Sequence, residues 1–227
     1  MISIDVKKRI LDAVKKQRPK YPSDTKMAVS LGISPAQFSR IMKGDFEGVL
    51  SDSNWVSIAR KLEVQFTSAP AWKTAKTPVY SYITGQLRLC QENSIGGIIC
   101  DNTDVGKTHA AKCYVRENRH AVYIDCSQVK TKRMLVMQIA KEFGINASGL
   151  YREMYQDLIF YLRSIEKPIV ILDEAGDLSY EAFLELKALY NATDGWCGWD
   201  MMGADGLRKK FEANRLEIWK QVPESYS

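Results

Sequence analysis

Between Asp5 and Gln17 the apolar residues Val6, Ile10, Leu11 and Val14 recur at helical spacing, with Lys7, Lys8, Lys15 and Lys16 mainly elsewhere, which predicts an amphipathic helix. Arg18-Pro19-Lys20-Tyr21-Pro22 breaks it. A second helix follows, capped by Ser23 or Asp24 and ended by Gly32 after Leu31. Ser34-Pro35-Ala36-Gln37 reads as a capping box, so a third helix starts at Ser34. Phe38, Ile41 and Met42 would face inward, which leaves Gln37, Ser39, Arg40 and Lys43 to solvent or a ligand. A fourth helix, with Trp55, Ile58, Ala59 and Leu62 inward, follows the loop from Gly44 to Ser53.

The pattern then lapses. Residues 66–79 contain Thr67, Ser68, Pro70 and Pro78 without clear periodicity and read as a linker between a module at 1–65 and a body at 80–227. In the body, helical spacing over Tyr80–Leu89 gives way to short apolar runs suited to buried strands. These are Gly96–Cys100, Ala121–Cys126, Pro168–Asp173 and Gly198–Ala204. Helical stretches follow Lys107, span Thr131–Phe143 and Tyr151–Ile165, and begin again at Ser179. Alternating strands and helices predict an α/β fold with a parallel sheet covered on both faces, preceded by a small all-α domain.

Charge adds a distinction between the two parts. The chain of 227 residues carries a net +5, and residues 1–65 hold 12 Lys/Arg against 7 Asp/Glu, which accounts for the whole excess. A basic module on a neutral body suits a polyanion such as nucleic acid, and a solvated basic face or a protein-contacting helical module fits the same count. No apolar run reaches the roughly 18–20 residues that span a bilayer, and no signal-peptide core follows the N-terminal basic residues, so a cytoplasmic protein is expected. Five scattered cysteines without Cys/His ligand spacing argue against zinc and for reduced thiols.

The candidate chemistry lies at two strand ends. Asp101-Asn102-Thr103-Asp104-Val105-Gly106-Lys107-Thr108 follows the first strand run directly and leads into a helix. Such a strand, loop and helix can enclose a phosphate with backbone N–H groups, here from Asn102, Thr103, Asp104, Val105, Gly106, Lys107, Thr108 and His109, while Lys107 adds a full charge. Thr108 would offer its hydroxyl to Mg²⁺. The G-x-x-x-x-G-K-[ST] pattern wants glycine where this chain has Asp101, a residue that tolerates a left-handed backbone but brings negative charge toward a triphosphate. Sixty-six residues beyond Lys107, the run Ile169–Leu172 ends in Asp173-Glu174. Ligands of parallel sheets gather at the strands' carboxyl ends, which would bring this pair to the loop, with Asp173 holding Mg²⁺ and Glu174 polarising water. The fourth strand would carry Asp200 or Asp205 toward the nucleotide.

With these residues in one chain, the sequence resembles the AAA+ ATPases that assist DNA transposition, the phage Mu B, TnsC-like and IstB-like families. The likeness covers most of the chain, chiefly Gly97–Thr108, Tyr123–Gly144 and Ile169–Leu189. Residues 5–64 resemble a helix-turn-helix of the phage-repressor type, which implies that Gln37, Ser39, Arg40 and Lys43 approach double-stranded DNA. The resemblance further implies ATP and Mg²⁺ as cofactors, homo-oligomeric rings or filaments on DNA, recruitment of a transposase, and a DNA path lined by Lys130, Thr131, Lys132 and Arg133. Asp205 and Arg208, or Arg215, are the candidates for a sensor or finger. A helical lid after the sheet is not expected within the chain, which makes slow or assembly-dependent hydrolysis the expectation. A transcriptional regulator with a nucleotide-sensing P-loop domain and a helicase-loader type ATPase are the competing readings.

Overall fold

The computed structural model describes residues 2–66, 74–210 and 212. In the N-terminal part, helices α1 (Ile4–Gln17), α2 (Asp24–Leu31), α3 (Pro35–Met42) and α4 (Asp52–Lys61) pack around Ile10, Val14, Met27, Phe38, Ile41, Trp55 and Ile58. The local signals for these helices are realised. Ser3, Ser23, Ser34 and Ser51 each accept a backbone N–H at a helix start, and Ser34 with Gln37 completes the capping box. Gly32 ends α2 with φ +76°, a left-handed value that glycine adopts without a Cβ penalty.

Helix α5 (Pro78–Asn93) opens the body, capped by Thr77 and so beginning two residues earlier than the sequence pattern suggested. Strands β1 (Gly96–Cys100), β2 (Ala121–Asp125), β3 (Ile169–Asp173) and β4 (Gly198–Gly203) form a sheet in the order β1-β4-β3-β2. Every pairing is parallel. Helices α6 (Lys107–Glu117), α7 (Lys132–Glu142), α8 (Tyr151–Ser164) and α9 (Tyr180–Ala192) make the crossovers.

Successive strand side chains point to opposite faces, so each strand feeds two cores. Ile169 and Ile171 join α5 and α6 on one side, while Val170 and Leu172 join α7, α8 and α9 on the other. All five residues of β3 are buried, as a strand inside a sandwich of helices requires. Among the described residues no helix is long and apolar enough to cross a membrane.

The N-terminal helices are fastened to the body. Lys61 Nζ contacts Glu142 Oε1 at 2.9 Å and donates to the Ser30 carbonyl at 2.8 Å. Glu63 pairs with Arg116 at 2.9 Å and Lys112 at 3.8 Å on α6, and Lys20 donates to the Val115 carbonyl near the same helix's end at 2.5 Å. The backbone of Lys26 lies so close to Gly144 that a Cβ there would meet the Lys26 carbonyl oxygen at 2.1 Å.

Candidate functional site

Parallel pairing aligns the carboxyl ends of the strands, so the loop after β1 and the turn after β3 lie at the same edge of the sheet with β4 between them. The loop turns through two left-handed residues, Asp104 at φ +64° and Gly106 at φ +96°. Asp101, expected to carry that burden, does not: its backbone lies outside the left-handed region and its carboxylate accepts the Asn102 N–H at 2.7 Å. The glycine missing from the usual pattern is therefore not demanded by the backbone here. Asp101 N–H donates to the Gly203 carbonyl at 3.2 Å, which pins the start of the loop to the end of β4.

Gly106 is the N-cap of α6, and Lys107 begins the helix. The Lys107 side chain is 7% exposed, and its ammonium donates to the carbonyls of Asp101 at 2.9 Å and Asn102 at 2.6 Å. Thr108 Oγ1 donates to Asp173 Oδ2 at 2.6 Å, so the hydroxyl from the loop and the carboxylate from β3 meet directly. Tyr123, from β2, donates its phenol to the same oxygen at 2.8 Å. Burial, then the Asp173 charge and this hydrogen bond, push the Tyr123 phenol well above its ordinary range and keep it a donor. Asp173 is 2% exposed and its other oxygen accepts the Glu174 N–H at 3.1 Å.

Glu174 sits in the left-handed region at φ +50°, with its side chain exposed. Its carboxyl is raised, first by desolvation and then by Asp173 and Asp177, with Lys107 acting in the opposite direction. His109 lies one residue past Thr108, and its Nε2 contacts Thr74 Oγ1 at 3.0 Å. Asn102, Thr103 and Thr108 are exposed and Val105 is half-buried, as a loop open to an incoming anion requires.

After β4 come Asp205 and Arg208, both exposed. Burial raises the Cys100 thiol, and Arg208 and Lys107 both act in the opposite direction, so both cations lie within electrostatic range of the end of β1. Lys210 donates to the carbonyls of Gly176 at 2.7 Å and of Leu178, tying the segment after β4 to the turn after β3. Arg215 lies outside the described residues.

Asp200 is placed otherwise than expected. It occupies the third position of β4, opposite Gly97, and is fully buried against α5 rather than at the strand's carboxyl end. Gln86 donates to its Oδ2 at 2.8 Å, and among the described residues its Oδ1 has no hydrogen-bond partner. Burial raises its carboxyl to about 7.

In the N-terminal module, Ser39 and Arg40 on α3 and Lys43 at its C-cap are exposed, and Arg40 pairs with Asp45 at 2.7 Å. Gln37 is engaged locally: it accepts from Ser34 N–H at 3.0 Å and donates to the Val49 carbonyl at 3.1 Å. Lys130, Thr131, Lys132 and Arg133 are exposed where α7 opens, Thr131 being its N-cap, and Arg133 donates to the Gly149 carbonyl at 3.1 Å.

Sequence reasoning missed Tyr123 and Lys210. Tyr123 stands two residues before Asp125 on the expected second strand, and a polar-tipped aromatic in so short a buried run was the available signal.

A parallel sheet with a lysine-bearing loop after β1, and an acidic strand end bonded to that loop's threonine, defines a P-loop nucleotide-binding core. The chain belongs to the AAA domain family, whose model matches residues 96–211, and is an AAA-type ATPase in general class. No curated protein matches it.

Proposed function

We propose that the chain is an ATP-dependent, DNA-binding regulator of transposition, which assembles as a homo-oligomer on double-stranded DNA and recruits or stimulates a transposase. One observation carries the link between nucleotide and DNA. The basic N-terminal module grips, through Lys20 and Glu63, the far end of the helix whose first residue is Lys107. Exposed Ser39 on α3 and Lys43 at its C-cap, and the exposed basic opening of α7, support a polyanionic partner. Like cations at a helix N-terminus oppose the helix dipole, an arrangement that an anion relieves.

The residues fit a nucleotide with Mg²⁺. The Thr108 hydroxyl and Asp173 carboxylate are hard oxygen donors already in register, and the few protein ligands suit an ion that also binds phosphates. When bound, Mg²⁺ would neutralise charge on the phosphate oxygens. Lys107 exchanges its two loop carbonyls for phosphate oxygens, and the loop N–H groups enclose the same anion. Glu174 orients and accepts a proton from the attacking water, its raised carboxyl bringing it closer to a working base. Arg208 lies within electrostatic range of Cys100, the last residue before the loop, and is the candidate to sense charge there.

Electron microscopy and gel-shift titration with and without ATP test this reading. Rings or filaments on DNA that require ATP and vanish in Lys107→Ala support it. Isolated dimers at one sequence, indifferent to nucleotide, would point instead to a transcriptional regulator.

A further inference from the structure

At the amino ends of the strands, opposite the phosphate loop, lies a cavity of about 320 Å³. Arg88 from α5, Arg119 from the turn before β2 and Lys167 from the turn before β3 line it, each from a different element. Among the described residues none of the three has a carboxylate within ion-pair distance, although Glu92 and Glu166 line the same cavity.

The backbone of the two turns is held in place, while the Arg88, Arg119 and Lys167 side chains are exposed. Gln91, 9% exposed, donates to the carbonyls of both Arg119 at 2.8 Å and Lys167 at 2.9 Å, and it accepts from the Tyr114 phenol at 2.7 Å. One amide therefore clasps the two basic turns together. His120 and Lys167 both adopt left-handed backbones, at φ +55° and +46°. Such a conformation is unfavourable for a residue with a Cβ, and glycine would adopt it without that penalty. The chain instead keeps an imidazole and an ammonium there, both lining the cavity. His120 Nδ1 lies 2.6 Å from the Glu166 carbonyl, which can only accept, so Nδ1 carries hydrogen and Nε2 is left for another partner.

We propose that this cavity is a second anion site, separate from the phosphate loop, that binds a small phosphorylated molecule. Arg88, Arg119 and Lys167 meet its phosphate oxygens, the Arg side chains through paired N–H groups. Glu92 and Glu166 accept from hydroxyl or N–H groups on the rest of the ligand. The volume lies at the lower end of the range for small-molecule sites, which suits a single sugar phosphate or nucleotide-sized compound rather than a polymer. Asn118 and His120 also line the groove against Lys20 and Tyr21 of the N-terminal module, so an occupant would abut the junction between the two parts.

Pyrophosphate is the probe, titrated calorimetrically into the full chain carrying Lys107→Ala, which weakens the first site. The expected result is one remaining site whose affinity falls at least tenfold in Arg119→Gln and is lost when Arg88→Gln and Lys167→Gln are added. Retained Tm and circular dichroism would show those variants to be folded. Loss of all pyrophosphate binding in Lys107→Ala alone would overturn the proposal, as would undiminished binding by the folded triple variant. Displacement of the probe by a short DNA duplex, with that effect abolished by the same three substitutions, would make the cavity a DNA-backbone contact and also overturn it.

Discussion

The hydroxyl of Thr108 and the carboxylate of Asp173, 65 residues apart in the chain, lie 2.6 Å from one another across the mouth of the sheet. Their contact joins the two sequence motifs in space. Thr108→Ala should retain the fold, because Tyr123 still donates to Asp173. It should lose most of the gain in nucleotide affinity that Mg²⁺ provides. Calorimetric titration with ATP, with and without Mg²⁺, should show that gain fall by tenfold or more, since hydrogen bonds to charged groups contribute about 1.5–3 kcal/mol.

Glu174→Gln should leave nucleotide binding intact and slow turnover by roughly 10²–10⁴, the range for a positioned acid or base. The wild-type rate should also depend on pH with a definite sign. A base acts in its deprotonated form, so turnover rises as pH rises through the elevated Glu174 value, and the glutamine variant lacks that limb. Steady-state phosphate release measured across pH provides the check.

Asp200 makes a prediction about stability. Its carboxyl is raised from 3.8 to about 7, so between those values the folded chain holds a proton that the unfolded chain has released. This contribution to stability is fully present below about 3.8 and is lost as pH rises through about 7. Asp200→Asn keeps an oxygen for Gln86 and removes the ionisation. Its Tm should exceed the wild type's at pH 8 by a few degrees, about 1 kcal/mol corresponding to roughly 2–4 °C in a chain of this size, and the gap should narrow as pH falls below about 7 and close only near 3.8. A variant no more stable than the wild type at pH 8 would contradict this account of the buried carboxyl.

Gly144 has φ +70° and faces the backbone of Lys26 without room for a side chain. Gly144→Ala should therefore separate α2 from the body as well as strain the end of α7. Differential scanning calorimetry should show the main transition lowered or split in two, whereas Ala at the exposed, open Gly206 should change little.

For the N-terminal module, Lys43→Ala should weaken DNA binding about equally across sequences. It should also reduce the slope of log affinity against log salt by about one, as expected for a phosphate contact. Fluorescence anisotropy over a salt series tests it. An unchanged slope would remove Lys43 from the interface.

Local signals were legible in the sequence because they act over a few residues. Ser34 and Gln37 specify a capping box whatever surrounds them, and the Ile169–Asp173 run is too apolar for anything but a buried strand. What sequence could not supply was direction. Asp200 sits in a strand buried on both faces, so no alternation reveals which face it takes, and its position near the amino end follows only from the register with Gly97. The left-handed turn was expected at Asp101 because a motif wants glycine there, yet the backbone places it at Asp104 and Gly106. Tyr123 became part of the site only through the pairing of β2 with β3. Gln37, legible as a cap, is occupied by that cap and by Val49, a long-range contact its immediate neighbours do not announce.

Helix α6 has eleven residues, with Lys107 at its first position and the partners of Glu63 at Lys112 and Arg116. Each residue in an α-helix turns the chain by about 100°, since 3.6 make a turn. A single insertion or deletion within α6 would therefore swing Lys112 and Arg116 out of alignment with Lys107, so that the chain could keep its phosphate loop or the seat of its N-terminal helices but not both. The length of this one helix is fixed from both ends, and drift in its sequence should run through substitutions and never through gaps.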